Sequence, residues 1–201
     1  MIQLTFTDYT FGASVATALV LTAPEVLVAT GDALTDGESL HAFLTEHGIV
    51  PGDRPATGAD LDEVRALRTR VRDIVAAPNE EAIVDGANQL LCVARTVPFL
   101  GRHDGTWTWH LETAPESTLA DDLAVVIGTG LLGTVASLGP NRFRSCESPS
   151  CNGIFVDTSR AGRRRFCMPQ VCGNRVNVAN FRARRRREQQ DRAGTGPTDA
   201  G

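Results

Sequence analysis

The apolar positions of the first 140 residues recur mostly at spacings of three and four, the period of amphipathic helices. A continuous apolar segment from about Phe11 to Leu21 reads either as a buried helix or as a strand, with helix favoured. Thr35, Asp36, Gly37 and Glu38 read as a capping box ahead of a stripe of Leu40, Phe43 and Leu44, with Gly48 as the stop. After the turn-rich PGDRPATG, Asp60 and Glu63 open a longer helix. Its Leu61, Val64, Leu67, Val71, Ile74 and Val75 share one face, and Pro78 ends it. A third helix is predicted from Asn79 to about Cys92, carrying Ile83, Ala87, Leu90 and Leu91 inward, with Cys92 as a buried small hydrophobe. The period then changes. TVPFLGR and TWTWHLE flank Asp104-Gly105 and predict a β-hairpin with Trp107 and Trp109 on one face. Ser117 to Leu138 returns to helix, with two acids in its first turns, where the helix dipole favours them.

Gly128, Gly130 and Gly133 spell GxGxxG after an apolar run, as in a dinucleotide fold. Such a unit needs a second strand and an acid about 20 residues further on, and here that position falls in a basic, Cys-rich stretch. The glycines are therefore read as small residues for close helix packing, and no nucleotide cofactor is predicted. The apolar run Leu123 to Leu138 stops short of the roughly 18 to 20 residues that cross a bilayer. The start, MIQLTFTDYT, has no basic n-region of a signal peptide, so the expectation is a soluble cytoplasmic protein without membrane contact.

With 42% hydrophobic and 22% charged residues among 201, the chain has enough apolar surface for a packed core. The net charge of −4 conceals an asymmetry. Residues 1–140 hold 7 Arg against 19 Asp and Glu, net −12, whereas 141–201 hold 13 Arg against 5 acids, net +8. This is an acidic body carrying a basic module. The predicted division is 1–140, 141–187 and a disordered tail, 188–201.

Cys146, Cys151, Cys167 and Cys172 all fall within 27 residues of the basic module. Each pair encloses four residues and fifteen lie between the pairs, a spacing that brings four thiolates around one structural metal. Zinc is the first choice and iron, which also accepts four thiolates, ranks behind it. Ile154-Phe155-Val156 and Arg164-Arg165-Phe166 are predicted to pair across DTSRAG, and the stretch after Cys172 reads as helix. Knuckle, hairpin and helix on one metal resemble a treble-clef finger, and metal binding would supply the stability that so small a module lacks. The predicted fold is thus mainly α, an N-terminal helical bundle with a small β-hairpin followed by a treble-clef-like zinc finger.

Cys172-Gly173-Asn174-Arg175, with Cys146-x4-Cys151, the segment Phe155 to Arg160 and the Arg-rich tail, resembles the CGNR zinc-finger family from about Arg142 to Arg187. Where members usually carry Trp before the third Cys and Ser-Met after it, this chain has Phe166 and Met168-Pro169, with all four ligands kept. In that family the finger usually follows a helical ABATE domain, classed as a stress-induced transcription regulator, and the helices at 36–92 are similar to it. The first 30 residues depart from the family's N-terminal pattern. The resemblance implies a DNA-binding regulator.

Residues 141–187 carry 12 Arg against Glu147 and Asp157, a nucleic-acid footprint. Arg182, Arg184, Arg185, Arg186 and Arg187 continue the helix, and Arg163, Arg164 and Arg165 add charge from the predicted hairpin. Asn177, Asn180 and Arg184, at spacings of three and four, are candidates for reading bases. Gly173, Asn174 and Arg175 are read as bracing the metal turn, with Arg175 paired to Asp157. His41, His47, His103 and His110 lie apart from the cysteines, although His103 and His110 flank the hairpin turn and could meet across it. Four thiolates leave no position for an activated water, and no catalytic motif is visible, so no enzyme is predicted. The predicted partners are DNA, a second copy of the chain in a homodimer and a small-molecule effector of the N-terminal domain. The alternative reading is a zinc-thiolate redox sensor or protein-interaction module without specific DNA binding, and RNA binding ranks last.

Overall fold

Helix α1 (Tyr9–Leu21) lies against α5 (Leu119–Leu138), and the computed structural model, which describes residues 9–49, 55–103, 105–114 and 116–194, builds the fold around this pair. α5 also packs on α3 (Gly58–Val75) and α4 (Glu80–Val93), and α2 (Gly37–Glu46) rests on α3. The fold is mainly α. The first apolar segment is a helix, as favoured from its sequence, with Val15, Ala16, Leu19 and Val20 buried.

The central position of α5 explains its composition. Leu123, Val126, Ile127 and Leu131 are fully buried, and each such side chain contributes roughly 1.5–3 kcal/mol of burial. By length and composition alone this helix of 20 residues could cross a membrane, with a mean hydropathy of 1.6, although the apolar run read from sequence was shorter. Its apolar faces are instead covered by α1, α3 and α4. The three glycines do what close packing requires. A Cβ on Gly130 would strike the backbone of Gly12 and Ala13, so α1 and α5 cross backbone to backbone where both helices have glycine. On another side, a Cβ on Gly128 would lie 3.1 Å from the Ala87 carbonyl of α4.

Helix starts follow local chemistry. α2 is capped by Asp36, whose carboxylate accepts from the Ser39 N–H at 2.8 Å while the Ser39 hydroxyl reaches back to the Asp36 N–H. Gly48, at φ +70°, supplies the left-handed residue after its end. α3 begins one turn before the predicted box, because Thr57 and Asp60 form the reciprocal pair and Glu63 takes no part. Asn79 caps α4 through Ala82, and Thr118 pairs with Asp121 at the start of α5. Cys92 is exposed rather than buried. The inward face of α4 runs through Ile83, Ala87 and Leu90 to Ala94, and position 92 falls on the opposite side.

Between α4 and α5, β1 (Val97–His103) and β2 (Thr106–Glu112) form the predicted antiparallel hairpin, with Arg102 opposite Trp107. Leu111 at its root is buried and Trp107 near its tip is exposed. The side chains of His103, Trp109 and His110, and with them the shared Trp face and the His pair, lie outside the described residues. The long loop from α1 to α2 is pinned to α3 by Asp32. Its two oxygens accept from Arg68 at 2.7 and 2.6 Å, and Arg68 also donates to the Thr22 hydroxyl at 3.0 Å.

After α5, β3 (Phe143–Ser145) and β4 (Ile154–Val156) pair antiparallel, and α6 (Asn174–Gly194) ends the described chain. The predicted partner of β4, Arg164 to Phe166, forms no strand. Phe143 to Ser145 takes its place, because the loop after β4 closes on Asp157 and directs the Arg164 N–H to that carboxylate. Helix α6 continues through residues 188–194, where a disordered tail was predicted.

Candidate metal centre

The strand pair determines where the first two thiols stand. Cys146 directly follows β3, its N–H donating to the Gly153 carbonyl at 2.8 Å, and the Cys151 N–H donates to Ser148 at 3.0 Å. The knuckle 146–151 is therefore the connection of a short hairpin. Cys167 and Cys172 arrive from the other side. Pro169–Gly173 forms a wide helical turn, in which the Met168 carbonyl accepts from Val171 at 3.0 Å and from Cys172 at 2.8 Å, and α6 starts at Asn174. As predicted, the last thiol sits just before a helix start.

The four Sγ atoms lie within 4.8 Å of one another. Cys151 and Cys167 are 3.5 Å apart and Cys167 and Cys172 are 3.7 Å apart. A zinc–thiolate bond of about 2.3 Å in a regular tetrahedron sets sulfurs about 3.8 Å apart, so the donor set fits that ion. The electrostatics point the same way. Burial pushes the Cys167 and Cys172 thiols up, and the neighbouring Cys151 and Cys146 sulfurs push them further. Burial also opposes ionisation of Cys146, but the Cys167 and Ser148 N–H groups together with the Cys167 and Cys151 thiols outweigh it and hold that thiol below its ordinary value. Such a cluster resists carrying four negative charges without a cation at its centre.

Gly153, which the sequence reading passed over, is a condition of the cluster. A Cβ there would stand 2.5 Å from the Cys167 sulfur and 3.1 Å from the Cys151 sulfur. A glycine directly before a strand was the available signal, since it marks a close approach. Phe155 forms the wall behind the sulfurs and is fully buried with Cys167 and Cys172.

Asp157 is also fully buried, and its carboxylate accepts from the Ser159 N–H at 3.0 Å, the Ser159 hydroxyl at 2.5 Å and the Arg164 N–H at 2.9 Å. Burial raises its pKa, but these bonds together with the Arg144 charge hold it below the usual carboxylate value. The pairing with Arg175 does not form. Arg144, at 3.8 Å, is the ionic partner of Asp157, because nearer donors already fill the carboxylate, and Arg175 is exposed on the first turn of α6. Asn174 does brace the turn, donating to the Gln170 carbonyl at 2.6 Å, and Gly173 is buried against Phe166.

The predicted nucleic-acid residues separate into two groups. Arg164 is drawn inward, donating to the carbonyls of Phe166 at 3.0 Å and of Cys167, with its guanidinium 4.8 Å from the Phe155 ring centre. Arg165 is exposed but paired with Glu147 at 2.6 Å, whereas Arg163 is exposed without an ion pair among the described residues. Arg182, Arg184, Arg185, Arg186 and Arg187 are all exposed on α6. Asn177, Asn180, Arg184 and Arg187 line one face of that helix.

The metal segment is joined to the helical body through β4. Ile154 and Val156 enter the main core with α1 and α3, while Phe155 between them faces the sulfurs. The Val156 N–H donates to the Thr17 hydroxyl of α1 at 3.0 Å, and Arg72 of α3 donates to the Asn152 carbonyl at 2.8 Å.

Residues 142–185 match the family model of the CGNR zinc finger. Residues 13–136 match the ABATE model, described as "putative stress-induced transcription regulator", and this match begins within the stretch whose pattern departs from the family's. A search of the curated proteins finds no match.

Proposed function

Because the chain belongs to the ABATE family and carries a CGNR zinc finger, we propose that it is a cytoplasmic transcription regulator that holds zinc and binds double-stranded DNA through α6. The thiolate set supports zinc as the ion, and four protein ligands close its shell to substrate, so the reading is of a binding protein and not an enzyme.

The observation that carries the DNA reading is α6. It has 21 residues, about 31 Å of helix, and makes its main contact with the turn before it. Five exposed arginines lie between 182 and 187. The major groove admits one helix, asparagine pairs with adenine and arginine with guanine, and Asn177, Asn180, Arg184 and Arg187 share a face. The remaining arginines would meet phosphate. The acidic body, net −12 over 1–140, repels DNA elsewhere and limits contact to the basic end.

The test is a fluorescence-anisotropy titration of full-length, zinc-loaded, reduced protein against duplex from its own promoter region and a scrambled duplex. With six or more phosphates neutralised, affinity falls about a thousandfold or more between 50 and 200 mM salt. The promoter duplex binds more tightly, and Arg184→Ala with Arg187→Ala weakens binding and flattens the salt slope. Absence of binding at low salt overturns the proposal.

A further inference from the structure

Each strand of the β1–β2 hairpin makes its main contact with the other, and among the described residues no third strand joins them. A two-stranded ribbon is marginal in water, and this one leaves the apolar side chains of Val97, Leu100 and Trp107 exposed. Its two edges differ. β1 carries Pro98, Gly101 and Arg102, residues that blunt an edge against further pairing. β2 runs through seven residues, TWTWHLE, with no Pro, Gly, Lys or Arg, and opens on four strand formers. Its outer edge is a template for another strand.

We propose that β2 is a homodimer interface, on which β2 of a second copy pairs antiparallel about a two-fold axis at residue 109 to give a four-stranded sheet. The strand is matched to its own copy. Full overlap of its seven residues sets 106 against 112, 107 against 111 and 108 against 110, the exchange of positions that a two-fold axis requires. In that register the one acid, Glu112, takes the position opposite Thr106 and His110 that opposite Thr108, so no like charges meet. Trp107 comes opposite Leu111, which is buried at the root of the hairpin, so a ring left in water by one chain reaches the rim of the other's core. Charge also favours this edge. Residues 97–112 hold three ionised groups, Arg102, Asp104 and Glu112, so most of the 19 acids of 1–140 lie away from it. The exposed Val178 and Phe181 of α6, by contrast, are flanked by Arg175, Arg182 and Arg185, and pairing two copies there sets like charges together.

Sedimentation equilibrium of the full-length, zinc-loaded, reduced protein tests the interface without DNA, independently of the regulator reading. A species of two chains is expected, and Trp107→Lys weakens it at least about tenfold. Thr106→Glu, which sets acid against acid twice across the axis, weakens it about fivefold, and adding Glu112→Lys restores it. Zinc content and circular dichroism verify that these hairpin variants keep the fold. Phe181→Ser on α6 leaves the dimer unchanged. A monomer at about 100 μM chain, a dimer indifferent to both Trp107→Lys and Thr106→Glu, failure of Glu112→Lys to restore it, or loss of the dimer in Phe181→Ser overturns the assignment.

Discussion

Arg68 is almost entirely buried on α3, and the two oxygens of Asp32 receive its guanidinium. Removing the charge of Asp32 leaves a buried cation without its counter-ion, so Asp32→Asn is expected to cost about 3 kcal/mol in a urea melt. The same pair sets a pH dependence. The hydrogen bond from Arg68 holds the Asp32 carboxyl below its ordinary value, and its contribution is therefore complete above the unfolded value of about 3.9. It is lost as pH falls through the lower folded value. The stability gap between wild type and Asp32→Asn should stay constant near neutrality and close only well below about pH 4. At this scale the four cysteines were legible from spacing alone, because metal geometry leaves a regular trace in sequence. Arg164 and Asp157 were not, since an arginine near a cysteine looks the same whether it faces carbonyls, solvent or phosphate.

Elements with long periodic faces were legible. α2, α3, α4 and α5 each combine a cap with an apolar stripe, and cap errors such as that at Thr57 moved a boundary by about a turn. Strand partners in the metal segment were not legible. Three-residue strands carry too little alternation to specify register, and the real partner of β4 depended on where the Asp157 loop sends its donors. The glycines of α5 show the other side of pattern reading. They match a phosphate-binding motif by spelling, yet their work is to let α1 approach. Gly130→Ala should therefore destabilise the fold by roughly 1–3 kcal/mol, because backbone on both sides leaves the added methyl no room to relax. Chemical denaturation measures the loss, and an unchanged midpoint would contradict the backbone-to-backbone crossing.

Charge divided the molecule into an acidic and a basic part, but packing does not respect that division. Ile154 and Val156 of the basic part sit in the core of the acidic part, and Phe155 between them closes the metal centre. Loss of metal should thus loosen α1 as well as the knuckle. If about 2–4 kcal/mol of β4 anchoring goes with it, a chelator lowers the Tm by roughly 5–15 °C in a single transition. Two separate transitions, with the helical body unmoved, would show that the parts are independent.

The placement of β4 also gives the protein an order of birth. A nascent chain that has emerged only as far as α5 lacks the two side chains that fill the space beside α1 and α3, and it leaves apolar surface open to chaperones or to misassociation. Closure waits until the ribosome has delivered Cys172, since only then are all four sulfurs present to capture an ion and fasten the strand. Metal supply during translation would accordingly govern how much helical domain is recovered, and not merely how much of it is active.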